Sequence, residues 1–416
     1  MNYTRFLKET LEAWKNSGNY RYFTPLERLC GHFPRALYHP PDNVLPPQEV
    51  IVWCSNDYLG MGQNPNVLSA VQQTFSKRGA GAGGTRNISG TTPSHQRLEE
   101  SLADLHQKDA ALICTSGYVA NEAALGTLGA KLPQCVIFSD ECNHASMIQG
   151  IRLSRAEKHI FKHNCPQDLK RLLEASHAQD PLRPKIIAFE SVYSMDGDIA
   201  PIEDFCDLAK KYNALTFLDE VHAVGLYGKR GGGIAEERGL QDDIDLISGT
   251  FGKAFGLIGG YLSGSTFLID FIRCFASSFI FTTALPPAIM AGVYESLHHL
   301  KNHPELREAH QKNVKIVKDG LEDLGISLIP NQSHIVPVII GDAHLCRSTA
   351  NYLLKHHHIY VQPINYPTVP IGTERFRITP SPLHTQQMIT DLLTGLDDIW
   401  TKFNLKRFPL TQKIYA

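Results

Sequence analysis

Five short apolar runs recur along the chain, and each ends in a polar or glycine-rich cluster. Ala110–Cys114 leads into Thr115-Ser116-Gly117-Tyr118, and Cys135–Phe138 into Ser139-Asp140-Glu141-Cys142-Asn143-His144. Lys185–Phe189 leads into Glu190-Ser191, Ala214–Leu218 into Asp219-Glu220-Val221-His222, and Ile244–Ile247 into Ser248-Gly249-Thr250-Phe251-Gly252-Lys253. Runs of this length bounded by turn residues read as buried strands. Helical spacing between them, as at 94–107 and 202–211, supplies the crossovers. The repeated unit predicts an α/β fold with a mainly parallel sheet. Its polar strand ends then fall along one edge, where open α/β sheets bind ligands.

On either side the pattern differs. Residues 1–20 read as an amphipathic helix with Phe6, Leu7, Leu11 and Trp14 on one side. A proline-rich loop is expected at 34–48. A strand, Val50–Cys54, then leads into the polar turn Ser55-Asn56-Asp57-Tyr58-Leu59-Gly60. From about 290 a long helix over 288–325 is expected, followed by strands at 334–340, 359–362 and 375–379. Helices over 344–356 and 384–402 complete a smaller α+β domain. The expected domains are 1–55, an N-terminal helix and strand segment; 56–295, the large α/β domain; and 296–416, the C-terminal domain. Arg375 and Arg377 are two apart in a strand and should share a face.

Composition excludes several classes. With 416 residues, 43% hydrophobic and 20% charged, the chain can bury a large core. A net charge of −2 gives no field for nucleic acid or an acidic membrane. No apolar run is long enough to span a bilayer. Nine scattered cysteines without a CxxC pair read as reduced thiols of a cytoplasmic protein. Met1–Gly18 has neither a signal peptide's apolar core nor a transit peptide's acid-poor character, so either no targeting segment exists or one has been removed. His356-His357-His358 lacks the spacing of a metal site, and no metal is expected.

The chemistry concentrates at the strand ends. Lys253 sits among glycines, with Thr250 and Ser248 before it. The glycines allow a tight bend and close approach of a flat ligand. Partial desolvation there would lower the ammonium pKa and free the amine to act as nucleophile or base. Asp219, 34 residues upstream, closes another strand, and His222 follows it. A lysine after one strand and an aspartate after an earlier one is the layout used for pyridoxal phosphate (PLP), with the aspartate on the pyridinium nitrogen. The Ser116-Gly117-Tyr118 turn opens a helix whose N-terminus suits a phosphate, or it is an ordinary serine cap. His144 is placed to stack on a ring. Thr282 and Thr283 offer hydroxyls to a phosphate, or are simply neighbours in a strand. Gly79–Thr91 is the most glycine-dense stretch; its Thr85-Arg86-Asn87 set argues for a site wall over a linker. Arg377 suits a carboxylate, Asn56 caps a turn or meets a ligand, and Arg21 lies among aromatics.

These residues resemble the α-oxoamine synthases, a family of fold-type I PLP enzymes. The resemblance runs from Tyr20-Arg21-Tyr22-Phe23 to Thr379-Pro380-Ser381-Pro382. It includes Val52–Gly62, Gly79–Thr91, Asn143–Ile148, Phe189–Ile202, Asp219–Gly228 and Ile364–Pro370. It implies a fold-type I transferase with a seven-stranded sheet and a homodimer with shared active sites. It also implies decarboxylative condensation of glycine with succinyl-CoA. By resemblance, Lys253 carries the cofactor and takes glycine's proton, Asp219 pairs with the ring nitrogen, and His144 stacks on the ring. His222 and Ser191 reach the phenolic oxygen side, and His222 steadies the developing oxyanion. Phosphate contacts fall to Ser116, Gly117, Tyr118 and Thr250, with Thr282 and Thr283 from the other subunit. Asn56 and Arg377 hold the glycine carboxylate. Arg21, Thr85 and Thr368 read the far carboxylate of succinyl-CoA, and Ser139 and Lys158 touch the acyl-CoA. The segment 363–373, rich in proline and ending near Gly372, is expected to act as a lid.

Other readings stay open at this stage. A relative using acetyl-CoA or a long acyl-CoA would leave Arg21 without a partner, which counts against 2-amino-3-ketobutyrate CoA ligase, 8-amino-7-oxononanoate synthase or serine palmitoyltransferase activity. A non-catalytic scaffold should lose Lys253, which is present. Cys165-Pro166 could ligate haem in a sensing role, on the strength of one dipeptide.

Overall fold

Turn-forming residues stop each apolar run before it can lengthen, so strands stay short and helices carry the chain between them. The computed structural model describes residues 1–41 and 45–408. Its strands in chain order are β1 (Leu26–Arg28), β2 (Arg35–Tyr38), β3 (Gln48–Val52), β4 (Ala110–Cys114), β5 (Val136–Asp140), β6 (Glu157–Phe161) and β7 (Lys185–Glu190). They continue with β8 (Ala214–Asp219), β9 (Leu246–Thr250), β10 (Gly260–Gly264), β11 (Val336–Ile339), β12 (Ile359–Tyr360), β13 (Pro363–Ile364) and β14 (Arg375–Ile378).

The chain divides into two compact units. One comprises Met61–Ser194 and Asp198–Arg307; the other gathers Met1–Gly60, Met195–Gly197 and Glu308–Ala416. The expected division at 55 and 295 thus falls elsewhere, and the N-terminal segment is no separate body. The reason is strand pairing: β12 runs parallel to β3, with Ile359 opposite Ile51, and closes a sheet of order β1-β2-β3-β12. The loop expected over 34–48 holds β2, antiparallel to β3 with Arg35 opposite Ile51, while 42–44 lie outside the described residues.

In the larger unit the sheet has seven strands in the order β4-β10-β9-β8-β7-β5-β6. Neighbours from β9 to β6 are parallel; β10 alone runs antiparallel, to β4 and to β9. β6 and β10 are additions to the expected strands. β6 is a mostly exposed edge with little apolar signal, and β10 (Gly-Tyr-Leu-Ser-Gly) is short and rich in small residues. Ile137, Ile186, Phe217 and Leu262 of the sheet pack with Ala124, Leu125 and Leu128 of a helix into one core. Fully burying such aliphatic or aromatic side chains stabilises by about 1.5–3 kcal/mol each.

The smaller unit has its own core around Trp53, Phe376, Ile378, Leu392 and Trp400, with His384 stacked on Trp53 at 3.7 Å between ring centroids. Its second sheet has the order β11-β14-β13. The single helix expected over 288–325 is two helices, Pro287–Asn302 and Pro304–Asp323. Pro304 lacks an N–H and pushes His303 out of the helical region, which breaks the ladder there.

Candidate active site

Five strand ends of the larger unit hold the polar clusters. After β4, α-helix Gly117–Lys131 begins with Ser116 as its N-cap, whose Oγ accepts from the N–H of Val119 at 3.1 Å. The serine is therefore a cap, and the other free N–H groups of that first turn remain available to an anion. The end of β10 lies directly against this turn: a Cβ added at Gly260 would sit 2.3 Å from the Gly117 nitrogen. A Cβ on Gly117 would in turn meet Thr250 at 3.2 Å. Thr250 is buried; its Oγ1 donates to the Gly259 carbonyl at 2.9 Å and accepts from the N–H of Gly252 at 3.1 Å. This pair of bonds folds the chain back after β9. Gly256 completes the bend with φ +76°, packed so that a Cβ would come within 2.1 Å of the Gly62 nitrogen. Half-buried Lys253 rides on that rigid loop.

Asp219, 4% exposed at the end of β8, is held on both oxygens. Its Oδ2 accepts from Asn121 Nδ2 at 2.6 Å and its Oδ1 from the N–H of Val221 at 2.8 Å. Asn121 Nδ2 also donates to Ser146 Oγ at 2.9 Å, and Ser146 Oγ bonds His144 Nδ1 at 2.7 Å. A continuous chain of hydrogen bonds thus links the Asp219 carboxylate to the His144 imidazole. His144 also caps the helix Ala145–Ser154, accepting the Ser146 N–H on Nδ1. Tyr118 stands edge-on to His144, with ring centroids 6.5 Å apart.

Two carboxyl groups that the sequence reading left without a role lie beside this set. Glu190 ends β7 in register with Asp219, is 2% exposed, and accepts the His144 N–H on Oε1 at 2.6 Å. Burial, added to the nearby Asp219 charge, pushes its carboxyl well above the usual range. Glu220 is fully buried; it accepts from Ser191 Oγ at 2.6 Å and from the N–H groups of Ile234 and Ala235. Burial raises it to about 7, against the pull of those three donors. His222 is 6% exposed in the turn that follows β8. Asn121 was also missed. Its signal was its place four residues after Gly117, one helical turn along the face that opens at Ser116.

The remaining predicted residues fall as follows. Thr85 and Thr283 form an isolated antiparallel bridge, and Phe281 and Ile88 beside them are 80% and 76% exposed. Thr282 and Thr283 follow a short helix, Ser277–Ile280, and are in no named strand. Ser139 is 1% exposed; its hydroxyl donates to the Asp140 carbonyl and accepts from Asn143. Those bonds give it a job inside the fold, whereas Lys158 is exposed on β6.

The smaller unit holds a second group. Arg377 of β14, 9% exposed, donates to Asn56 Oδ1 at 3.1 Å and to Tyr58 Oη at 2.5 Å. Its partner in the strand, Arg375, pairs instead with Asp196 at 2.6 Å, so the two arginines differ in function although they share a strand. Arg21 Nη2 donates to Thr368 Oγ1 at 3.1 Å, joining residues 347 positions apart. They line a cavity of about 660 Å³ with Tyr20, Tyr22, Arg347 and Tyr360.

The donor set of the larger unit fits PLP. A buried carboxylate closes a strand where a ring nitrogen can reach it, a helix N-terminus is kept open by glycine and bordered by Thr250, and a lysine follows on a fixed loop. Among the described residues no helix is long and apolar enough to cross a membrane.

Residues 48–396 match the family model for aminotransferase class I and II. The chain is 56% identical over 407 residues to 5-aminolevulinate synthase of Rhizobium meliloti (strain 1021), covering 98% of this chain and 99% of that one. It is 53% identical over 409 residues to the mitochondrial 5-aminolevulinate synthase of Schizosaccharomyces pombe (strain 972), covering 98% of this chain and 72% of that one. Among solved structures, serine palmitoyltransferase of Sphingomonas wittichii superposes with a TM-score of 0.88 at 27% identity, over 96% of this chain and 98% of that one. A structure of SPT with PLP as its internal aldimine gives the same TM-score at 28% identity, over the same shares.

Proposed function

The chain belongs to the class I and II aminotransferase family and, within it, to the 5-aminolevulinate synthases, and on that premise we propose how its residues divide the work. The reaction is the PLP-dependent condensation of glycine with succinyl-CoA to 5-aminolevulinate, CoA and carbon dioxide, which feeds tetrapyrrole synthesis. PLP, when bound, supplies the electron sink that makes glycine's α-hydrogen acidic enough to remove.

Lys253 holds the cofactor and takes the proton from the glycine α-carbon. Asp219 keeps its negative end toward the ring nitrogen, supported by Asn121 and Val221. His144, steered through Ser146, covers the ring. Ser191 and His222 border the phenolic oxygen side, and His222 donates to the oxyanion that develops on the thioester carbonyl. The first turn after Ser116, with Gly117, Tyr118 and Thr250, takes the phosphate. Asn56 and Arg377 take the glycine carboxylate; the Arg377 guanidinium is already oriented by Tyr58. Arg21 with Thr368, and Thr85, take the far carboxylate of the succinyl group. Lys158 and Ser139 serve the acyl-CoA, the Ser139 hydroxyl lying buried beside Asp140 and Asn143.

The working form is a homodimer with shared sites, Thr282 and Thr283 coming from the partner. The exposed Phe281 and Ile88, flanking the Thr85–Thr283 bridge, support burial of that surface by a second copy. Residues 363–373 act as a lid, and the cytoplasm is the proposed compartment, in keeping with nine unpaired cysteines. The observation that carries the reading is the buried Asp219 fixed by two N–H donors in the same unit as Lys253. Turnover with acetyl-, succinyl- and long-chain acyl-CoA tests it. Succinyl-CoA should be preferred, and Arg21→Gln should erase the preference; an equal preference in both proteins would remove Arg21 from the site.

A further inference from the structure

Glu190 has no part in the assignments above. It ends β7 next to Asp219 on β8, in direct parallel register, so the two carboxyl-bearing residues stand at neighbouring strand ends with their backbones about 4.8 Å apart by sheet spacing. Both are nearly sealed from water. Two anions on neighbouring strand ends in a buried place repel, which favours one of them keeping its proton. The hydrogen bonds decide which. Asp219 receives N–H donors on both oxygens, the side-chain amide of Asn121 and the backbone of Val221. Glu190 receives the one backbone N–H of His144 on Oε1. The titratable groups around Glu190 come from several elements: Asp219 on β8, Asp140 at the end of β5, Lys253 after β9, and the His144 imidazole. Two of them are carboxyl groups. Tyr193, buried beside it on the turn after β7, adds no positive charge.

We infer that Glu190 is a positioning residue that works as a neutral acid: with its proton kept, it ties the end of β7 to the backbone of His144 and leaves Asp219 as the anion of the pair. The consequence for the cofactor is twofold. His144 caps its helix through its own Nδ1, so the direction of its backbone N–H fixes where the ring stands. Asn143 ties the same loop to the Ala188 carbonyl at 2.8 Å, so loss of Glu190 leaves the loop attached but frees the imidazole to tilt. An ionised Glu190 would compete with Asp219 for the positive charge of the ring nitrogen; a neutral one does not. The inference rests on the PLP reading above for its functional part, and its protonation part is tested without turnover.

The experiment compares Glu190→Ala and Glu190→Gln with the parent holoenzyme. Glutamine keeps the acceptor for the His144 N–H and carries no charge, so it should restore what alanine removes. Alanine should alter the visible circular dichroism band of the bound cofactor and lower kcat about tenfold or more, the usual scale for losing a buried hydrogen bond, with little change in KM. The second readout is the unfolding midpoint. A carboxyl held above its unfolded pKa contributes stability at low pH that is lost as pH rises, so Glu190→Gln should gain on the parent steadily from pH 5 to pH 8. If Glu190→Gln is as impaired as Glu190→Ala in the cofactor band and its midpoint gap does not widen with pH, Glu190 acts as an anion and the inference is wrong. If Glu190→Ala leaves the cofactor band unchanged, it positions nothing. If PLP fails to bind the parent, the functional reading fails, yet the pH-dependent midpoint gap still reports the protonation state.

Discussion

Gly260→Ala probes the contact that shapes the phosphate end of the site. The added Cβ would lie 2.3 Å from the Gly117 nitrogen, 2.5 Å from the Ser116 carbonyl carbon and 2.6 Å from the Gly117 Cα. Ordinary contact begins at 3.4 Å, so the obstacle is too close by about 1 Å, and it is backbone, which cannot swing aside. Gly260 is pinned on both edges, opposite Cys114 of β4 and Thr250 of β9, so β10 cannot retreat alone. The first turn of the helix Gly117–Lys131 must move instead. Overpacking of this kind costs about 1–3 kcal/mol of stability. The same shift pulls N–H donors off the phosphate; losing one charge-assisted hydrogen bond, at about 1.5–3 kcal/mol, weakens PLP binding roughly 10- to 150-fold. The assay is PLP affinity by equilibrium dialysis, paired with the unfolding midpoint of the PLP-free protein. A weakened affinity with a lowered midpoint is expected. A variant with parental affinity and midpoint would show that the helix start is not fixed by β10, and the account of the phosphate site would fall with it.

Two further outcomes follow from single side chains. Arg377→Lys loses the forked contact to Asn56 and Tyr58, and the KM for glycine should rise about tenfold or more while the KM for succinyl-CoA stays within a few-fold; the reverse pattern would move the glycine carboxylate elsewhere. His163 is clamped by Asp140 at 2.8 Å and Asp198 at 2.6 Å. Burial alone would lower its pKa, but these bonds, with Cys142, raise it to about 12. A raised imidazole contributes stability that is complete below pH 6.5 and is lost as pH climbs toward 12. The advantage of the parent over His163→Gln in unfolding midpoint should therefore shrink from pH 7 to pH 9, and a constant gap would contradict the clamp.

Much of the fold was legible because the strand signal is strong where strands are buried on both faces. β5, β7, β8 and β9 are continuous apolar or small-residue runs, and their polar ends announced the site. β6 was hidden by its exposed side chains, and β10 by its glycines, although that glycine content is what lets it lie against the helix start. The break at His303-Pro304 was written in the proline, although a single helix over 288–325 was expected. Lys253, Asp219 and His144 could be picked out because each follows a strand. Asn121 offered only its place one helical turn after Gly117, and Glu190 and Glu220 offered less: their roles depend on register between strands and on which atoms meet in the core, and neither is carried by local spacing. Ser139 also stands at a strand end, and its hydroxyl turns inward.

The central claim is that this chain binds PLP through Lys253 and uses it to join glycine to succinyl-CoA. The most direct measurement is the absorption spectrum of the purified protein, before and after glycine and then succinyl-CoA, in the parent and in Lys253→Ala. The account predicts a cofactor–lysine band in the parent that shifts with glycine, 5-aminolevulinate on adding succinyl-CoA, and neither the band nor the product in Lys253→Ala. A parent protein without that band, or a Lys253→Ala variant that keeps both band and product, would contradict it.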